Sequence, residues 1–586
     1  MVDDGEALHR LLFPVGPRQH RALGPDRPEL MFLALHRGLA QAFDAYARSL
    51  GAGGAVLAWL RLDDEPGARE LLRGGDHITV ATPIEDLGDA YATALDPDLR
   101  HRLGEHYTPR DLVRRVIRRF TGADVVADPA CGDGRFLIAL LDDGHEPDRI
   151  WGADLNPLAV MMARINVWDR LGRPTSIPPT RVVWGDFILQ GATHLPPELA
   201  RPAGNLAGMP VPDAYVGNPP WVTWRNLSDG YRRAVADHLA NSRLHHATGW
   251  SARVSAGQTD LAHIFVHDAM ERVAPGGRLG FVLPRTVFKA PVGPGRVREG
   301  VTTNGRPYRF EEVWDCDAFD GVRVDTVVAF AQADAKPEFP VRWIRRDQAG
   351  RAVLSDPDDP ASPWLTPDGG IDARPLRLAS GRRWTGQRGR GGINTGGGNA
   401  AFYVEVLARD GDRVTIRSLP SRHRPGASVE ATVEATYLRP LLRGRDVQAG
   451  AARPSGHVLV PHRDDDLRKP VSEAELARAA PDTYAYLSTF KGLLAGRKEL
   501  ARWPAQPWYA LFRIGPYTAG CWRVVWPHSA NGSLRAAVLA ADDRTVPDQK
   551  VVLVAFDRKE PALFLAALLN SAVVRAAASA SGGLDA

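Results

Sequence analysis

A chain of 586 residues has room for two to four domains and ample length to bury sizeable cores. Its 44% hydrophobic and 24% charged residues are ordinary for a soluble globular protein, and a formal net charge of +4 gives no global case for a nucleic-acid partner, so any such case must come from local charge. Cys131, Cys316 and Cys521 lie far apart with no CxxC pair, which argues against a disulfide framework or a structural metal and fits a reducing cytoplasmic setting. The start, Met1-Val2-Asp3-Asp4-Gly5, lacks the pattern of a signal peptide, and no uninterrupted apolar run reaches the roughly 18 residues that suggest a membrane span.

In chain order, residues 1–100 read as an N-terminal helical region, with Leu30 to Leu35, Leu39, Phe43 and Tyr46 at helix-like spacing. From 101 to 335, short β-rich runs alternate with helical stretches: Val125-Val126-Ala127, Ile150 to Ala153, Arg181 to Trp184, Ala214-Tyr215-Val216, Leu279 to Leu283 and Thr326 to Phe330. Such alternation predicts an α/β, Rossmann-like domain whose mostly parallel sheet is covered on both faces, with ligands at the carboxyl ends of its strands. Residues 336–372, rich in Pro, Asp and Gly, read as a linker, and 373–586, rich in Arg, Gly and short strands, as a second, mixed α+β domain.

Asp128-Pro129-Ala130-Cys131-Gly132-Asp133-Gly134 follows the first strand and precedes a helical run. Glycines at such a turn let backbone pass close to a ligand, and the helix start offers free N–H groups. The second strand ends at Asp154, placed to bind ribose hydroxyls. The third ends in Gly185-Asp186-Phe187, where a carboxylate can accept from an adenine amino group and a ring can pack on its face. Upstream, Tyr107-Thr108-Pro109 precedes a helix predicted over Asp111 to Phe120, a turn able to close over one end of a cofactor. Each carboxylate alone is as well explained as a helix cap or loop residue; the order of the set is what points to a nucleotide-like cofactor.

The fourth strand runs into Gly217-Asn218-Pro219-Pro220-Trp221. An aromatic amino group is a poor nucleophile because its lone pair is delocalised. The Asn218 side-chain carbonyl and the Pro219 backbone carbonyl can accept its two hydrogens and favour a pyramidal nitrogen. The prolines stiffen the turn, and Trp221 offers a face for a base removed from its stack. By itself Asn-Pro-Pro is more often a rigid turn than a catalytic site.

Taken together, Tyr-Thr-Pro, Asp-Pro-Ala-Cys-Gly-Asp-Gly, Asp154, Gly-Asp-Phe and Asn-Pro-Pro-Trp resemble the gamma class of amino-group DNA methyltransferases of restriction–modification and phage-defence systems. Gln258 to Phe265 and Pro275 to Val282 are similar to the family's next helix and strand, and Phe319-Asp320-Gly321-Val322 to the segment whose aromatic packs on the flipped base. The resemblance implies S-adenosyl-L-methionine as methyl donor, with Ala130, Leu155 and the residues above around it, N6-methyladenine as product, duplex DNA as partner and no metal. It also implies separate restriction or defence subunits as possible company. Two departures stand out: Ala130 where an aromatic is frequent, and Trp221 where Tyr or Phe is commoner. Asn-Pro-Pro-aromatic also serves enzymes that methylate RNA guanine or a protein glutamine amide, and a non-catalytic DNA-specificity subunit is a third reading.

Beyond 373, Arg374, Arg377, Arg382, Arg383, Arg388 and Arg390 surround Trp384, followed by Gly391 to Gly398, read as a flexible loop without the Gly-Lys-Ser/Thr ending of a phosphate loop. Arg439 to Asp446, including Arg443 and Arg445, and Trp522 to Pro527 add further arginines suited to phosphates and guanine edges. Gly391 to Phe402, Leu438 to Asp446 and Phe564 to Ser571 resemble the family's target-recognition domain. In the family that last segment is a helix, commonly followed by further helical chain, so the stop at Ala586 predicts a recognition domain that is either abbreviated or truncated.

Overall fold

The computed structural model describes residues 28–65, 108–190, 204–224, 229–242, 260–289, 295–316, 325–345, 348–366, 389–419, 428–503, 505–528 and 534–580, with a few single residues between them. Contacts divide the chain into two compact units, Met1–Thr366 and Pro367–Ala586.

The first unit opens with helices α1 (Pro28–Ser49), α2 (Gly54–Leu60) and α3 (Arg110–Ile117). Then follow β1 (Val126–Asp128), α4 (Arg135–Asp142), β2 (Ile150–Asp154), α5 (Pro157–Arg170), β3 (Arg181–Trp184), β4 (Ala214–Gly217), α6 (Asp229–Ser242), α7 (Leu261–Arg272), β5 (Arg278–Pro284), β6 (Tyr308–Cys316) and β7 (Thr326–Ala333). Strands β3-β2-β1-β4-β5 are parallel, and β7 is antiparallel to both β5 and β6, giving the order β3-β2-β1-β4-β5-β7-β6. Every residue of β1 and β4 is buried, as a sheet covered on both faces requires. The chain winds outward from β1 through β2 to β3, then returns to β4 on the other side of β1. Such a reversal marks the place, beyond the carboxyl ends of β1 and β4, where ligands of open α/β sheets bind.

Composition marked 336–372 as linker, and its described part is instead sheet. Strands β8 (Val341–Arg345), β9 (Gln348–Leu354) and β10 (Trp364–Leu365) extend the order beyond β6. In β8 the buried Val341 and Trp343 flank the exposed Arg342, a period-two pattern. The Pro- and Asp-rich composition is concentrated in the turn between β9 and β10, where the Asp356 N–H donates to Ser362 Oγ at 3.1 Å and the Ser355 N–H to the Pro363 carbonyl at 2.8 Å.

The N-terminal helices belong to the same unit and pack on α5. Arg164 of α5 is 1% exposed. It donates to both Asp64 carboxylate oxygens (2.6 and 3.0 Å) and to the Trp59 and Val182 carbonyls (2.7 and 2.8 Å). Glu65 accepts the Trp184 N–H of β3 at 3.2 Å. This segment therefore covers the otherwise bare edge of the sheet at β3.

The second unit is mixed α+β. It holds a six-stranded sheet with core residues such as Val404, Ile416, Leu441 and Val458, and a four-stranded sheet that includes Trp522–Pro527 and Val551–Phe556. The run Gly391 to Gly398 is not a free loop. Gly392 N–H bonds the Val551 carbonyl and Ile393 N–H the Pro547 carbonyl, each at 2.9 Å, and Asn394 bridges Phe512. Of the segment Phe564 to Ser571, residues Phe564 to Asn570 lie in helix Lys559–Asn570, Ser571 caps it with extended backbone, and helix Ala572–Ala580 follows.

Candidate cofactor and catalytic site

Strand β1 ends at Asp128 and the chain turns through Ala130 to Gly134 before α4 begins. Gly134 caps α4 with φ +83°, and a Cβ there would stand 3.1 Å from the Ala163 backbone of α5, so only glycine allows both the turn and the close helix contact. The turn is tied to β2 through Asp154: Gly132 N–H donates to Oδ2 at 2.9 Å and Asn156 N–H to Oδ1 at 2.8 Å. Each carboxylate oxygen keeps acceptor capacity for a hydroxyl. Burial pushes this carboxyl up to about 6, against the pull of the Asn156 and Gly132 amides.

Asp128 accepts the Ala130 N–H at 3.1 Å through Oδ1, while its Oδ2 is buried without a hydrogen-bond partner among the described residues. Burial drives its carboxyl well above the usual range, with Asp154 and Asp133 adding to the rise. At the end of β3, Asp186 Oδ1 accepts the N–H groups of Ile188 (3.0 Å) and Leu189 (3.1 Å), and its Oδ2 likewise has no partner among the described residues. Its carboxyl is raised by burial to about 6, with the Leu189 amide and the Tyr231 hydroxyl working against the rise. Phe187 is 2% exposed: its ring stacks on Phe265 with centroids 5.3 Å apart, meets Tyr215 edge-on at 5.4 Å, and has the Arg272 guanidinium 4.7 Å from its centroid. The ring is thus part of the core behind the strand end.

Thr108 is buried, its hydroxyl without a partner among the described residues. Its carbonyl accepts from Arg135 at 2.6 Å, and Arg135 is paired with the buried Asp133 at 2.6 Å. Pro109 caps α3. The Thr108-Pro109 turn is thereby pinned to the glycine turn. Tyr107 lies outside the described residues. Ala130 and Leu155 are half-buried, and the Leu155 carbonyl accepts the Trp184 indole N–H at 2.9 Å.

Strand β4 ends at Gly217, where φ is +145° and a Cβ would meet Asp128 Oδ1 at 2.4 Å. The absence of a side chain is what lets the start of Asn218-Pro219-Pro220-Trp221 lie against the β1 carboxylate. Asn218, Pro220 and Trp221 are half-buried and Pro219 is buried. The Trp221 indole N–H donates to the Val282 carbonyl of β5 at 3.4 Å. Just beyond, Thr223 bridges Asp260, and Leu261 N–H donates to the Val222 carbonyl at 3.0 Å, so the tetrapeptide is anchored on both sides. Asp260 caps α7 through Ala262 N–H at 3.0 Å, and burial pushes its carboxyl up to about 7.

The unit therefore brings the ends of β1 and β4 together with the glycine turn and Asp154, and places Asp186 at the end of β3. The residues fit a nucleoside sulfonium: Asp128 and Asp186 each keep a buried carboxylate oxygen in need of a donor, and the bonded oxygens of Asp154 retain acceptor capacity, as a ligand bearing hydroxyl and amino groups requires. Among the described residues no group of three or more His, Cys, Asp and Glu could hold a metal. Sequence reasoning missed the Asp133–Arg135 pair, although both lie within or beside the glycine turn, and it missed Tyr231 and Arg272, which reach Asp186 and Phe187 from helices with no local signal.

Phe319 and Arg388 lie outside the described residues. In the second unit, Arg390 lies 4.7 Å from the Tyr517 ring centroid, Arg443 lies 5.7 Å from that of Tyr403, and the Arg445 side chain is exposed. Two arginines of the motifs read as DNA-facing are structural. Arg523 is fully buried and donates to the carbonyls of Thr518, Thr545, Ala540, Asp543 and Cys521, and Arg439 is buried against Asp464. Arg523 satisfies carbonyls that would otherwise be orphaned and Arg439 is only 4% exposed, so neither is available to a phosphate.

Strand order and site together define the class I methyltransferase fold. Residues 83–306 match the sequence model described as N-6 DNA Methylase, in agreement with the resemblance drawn from the motifs, and the match supports S-adenosyl-L-methionine as cofactor. The chain is 25% identical over 228 residues to the Type II methyltransferase M.VspI of Vibrio sp. (strain 343), an alignment covering 38% of this chain and 47% of that protein. It is 28% identical over 151 residues to the Type I restriction enzyme MjaVIII methylase subunit of Methanocaldococcus jannaschii, covering 25% of this chain and 24% of the relative. The chain thus aligns with about half or less of the curated relatives it matches. The structure of the Type IIL restriction-modification enzyme MmeI in complex with DNA superposes with TM-score 0.51 at 13% identity, covering 97% of this chain and 83% of that one, a likeness of fold.

Proposed function

We propose that the protein is a cytoplasmic, site-specific DNA methyltransferase that transfers the methyl group of S-adenosyl-L-methionine to N6 of an adenine flipped out of duplex DNA, within a restriction–modification or phage-defence system. The observation that carries this reading is the placement of Asn218-Pro219-Pro220-Trp221 at the end of β4, with Gly217 in contact range of Asp128 across the switch point. The first unit then supplies methyl transfer, and Arg390, Arg443 and Arg445, with Arg388, supply DNA contacts from the second.

Asp154 accepts ribose hydroxyls while holding the glycine turn, Asp186 accepts the cofactor's adenine amino group, and Thr108-Pro109 closes the methionine end. When bound, the cofactor supplies an electrophilic methyl on sulfur. Asn218 Oδ1 and the Pro219 carbonyl accept the target amino hydrogens and bring the nitrogen lone pair toward that methyl, while Trp221, with Phe319, stacks on the extruded base. Catalysis is by positioning. Offering methyl-labelled S-adenosylmethionine with duplex DNA, RNA or a glutamine-bearing protein tests the reading: label is expected in DNA alone, and label confined to RNA or protein overturns it.

A further inference from the structure

Asp186 Oδ1 is surrounded by donors: two backbone N–H groups at 3.0 and 3.1 Å, and the Tyr231 hydroxyl at 3.4 Å. Its other oxygen is buried without a partner among the described residues. A carboxylate whose one oxygen is saturated cannot rotate without breaking those bonds, so its remaining acceptor has a fixed direction. Tyr231 comes from α6, a helix that itself is held in place. His238, two turns further along, meets Asp268 of α7 at 2.9 Å. Asp268 in turn pairs with Arg272 at 3.2 Å, and Arg272 donates to the Phe187 carbonyl, the residue next to Asp186. The turn that ends β3 is therefore gripped from α6 and α7 together. Burial keeps the Tyr231 hydroxyl well above its ordinary range, so it remains a donor at any working pH.

We propose that Tyr231 is a positioning residue for cofactor selectivity: its hydroxyl holds the Asp186 carboxylate so that Oδ2 accepts the amino group of the cofactor's adenine. This rests on the reading of the site as an S-adenosylmethionine site. Through it α6, which follows the catalytic tetrapeptide, is coupled to recognition of the cofactor base.

Calorimetry with S-adenosylhomocysteine and with its 6-desamino (purine riboside) analogue separates positioning from mere packing. Wild type should prefer the adenosyl compound. Tyr231→Phe should weaken that compound about five- to tenfold, the scale of one ordinary hydrogen bond, and leave the desamino analogue unchanged. In an Asp186→Asn background, Tyr231→Phe should bring no further loss. Equal weakening of both compounds, or no weakening of either, overturns the proposal. If Tyr231→Phe unfolds, wild-type preference for the adenosyl compound that persists in Asp186→Asn overturns it too. A wild-type protein that binds neither compound overturns the underlying reading, and the role of Tyr231 with it.

Discussion

At Gly217 a single added methyl has no room: the Cβ would stand 2.4 Å from Asp128 Oδ1 on a backbone with φ +145°. Gly217→Ala should cost about 1–3 kcal/mol from backbone strain alone and abolish methyl transfer by displacing Asn218, as denaturant unfolding and a methylation assay would register. Four positions on, Trp221 is anchored to β5 by its indole N–H. Trp221→Tyr restores the commoner residue but forfeits that bond, so kcat should fall less than tenfold; a loss like that of Asn218→Ala would show that the indole is essential. Asp154 and Asp186 give opposite pH dependences for binding and stability. Both carboxyls are raised by burial to about 6 in the folded protein. The ligand-free fold therefore binds protons more tightly than the unfolded chain, and the stability these groups contribute is full below about pH 4 and lost as pH rises through 6. Cofactor binding needs the ionised acceptors, so affinity for S-adenosylhomocysteine should be flat above about pH 7 and fall by up to tenfold per unit per group below 6. Affinity that is constant from pH 5 to 8 would contradict the assigned roles.

At the scale of elements, the motif-bearing strands were legible because each combines a short apolar run with a glycine or proline turn, and those cues are local. Asp128, Asp154, Asp186 and Asn218 were placed at strand ends from that pattern alone, and all four stand there. What the sequence hid depends on distant partners. Nothing near Tyr231 or Arg272 announces that they meet the β3 end. The 336–372 segment misled because turn residues outweigh the short alternation of Val341 and Trp343. Arg523 misled because an arginine that satisfies five carbonyls is indistinguishable in sequence from one on the surface. Arg164 belongs to the same hidden class, joining α5 to Trp59, Asp64 and Val182. Arg164→Met should destabilise the protein by about 2–4 kcal/mol in denaturant titration, below the full cost of breaking a buried pair because the Asp64 side chain is 48% exposed. A change under 0.5 kcal/mol would show that the N-terminal segment does not depend on this anchor.

For the whole molecule, the proposed division of labour sets what each unit can lose. Replacing Arg390, Arg443 and Arg445 together by alanine should leave S-adenosylhomocysteine affinity unchanged while weakening duplex binding, with the log–log salt slope falling by roughly one per phosphate contact removed. An unchanged slope would remove these arginines from the DNA interface. The central claim is that Asn218-Pro219-Pro220-Trp221 methylates adenine N6 in duplex DNA. Mass spectrometry of nucleosides from duplex DNA treated with the purified protein and S-adenosylmethionine tests it most directly. N6-methyl-2′-deoxyadenosine should appear with wild type and fall at least a hundredfold with folded, cofactor-binding Asn218→Ala; its absence with wild type, or its persistence in the variant, would contradict the account.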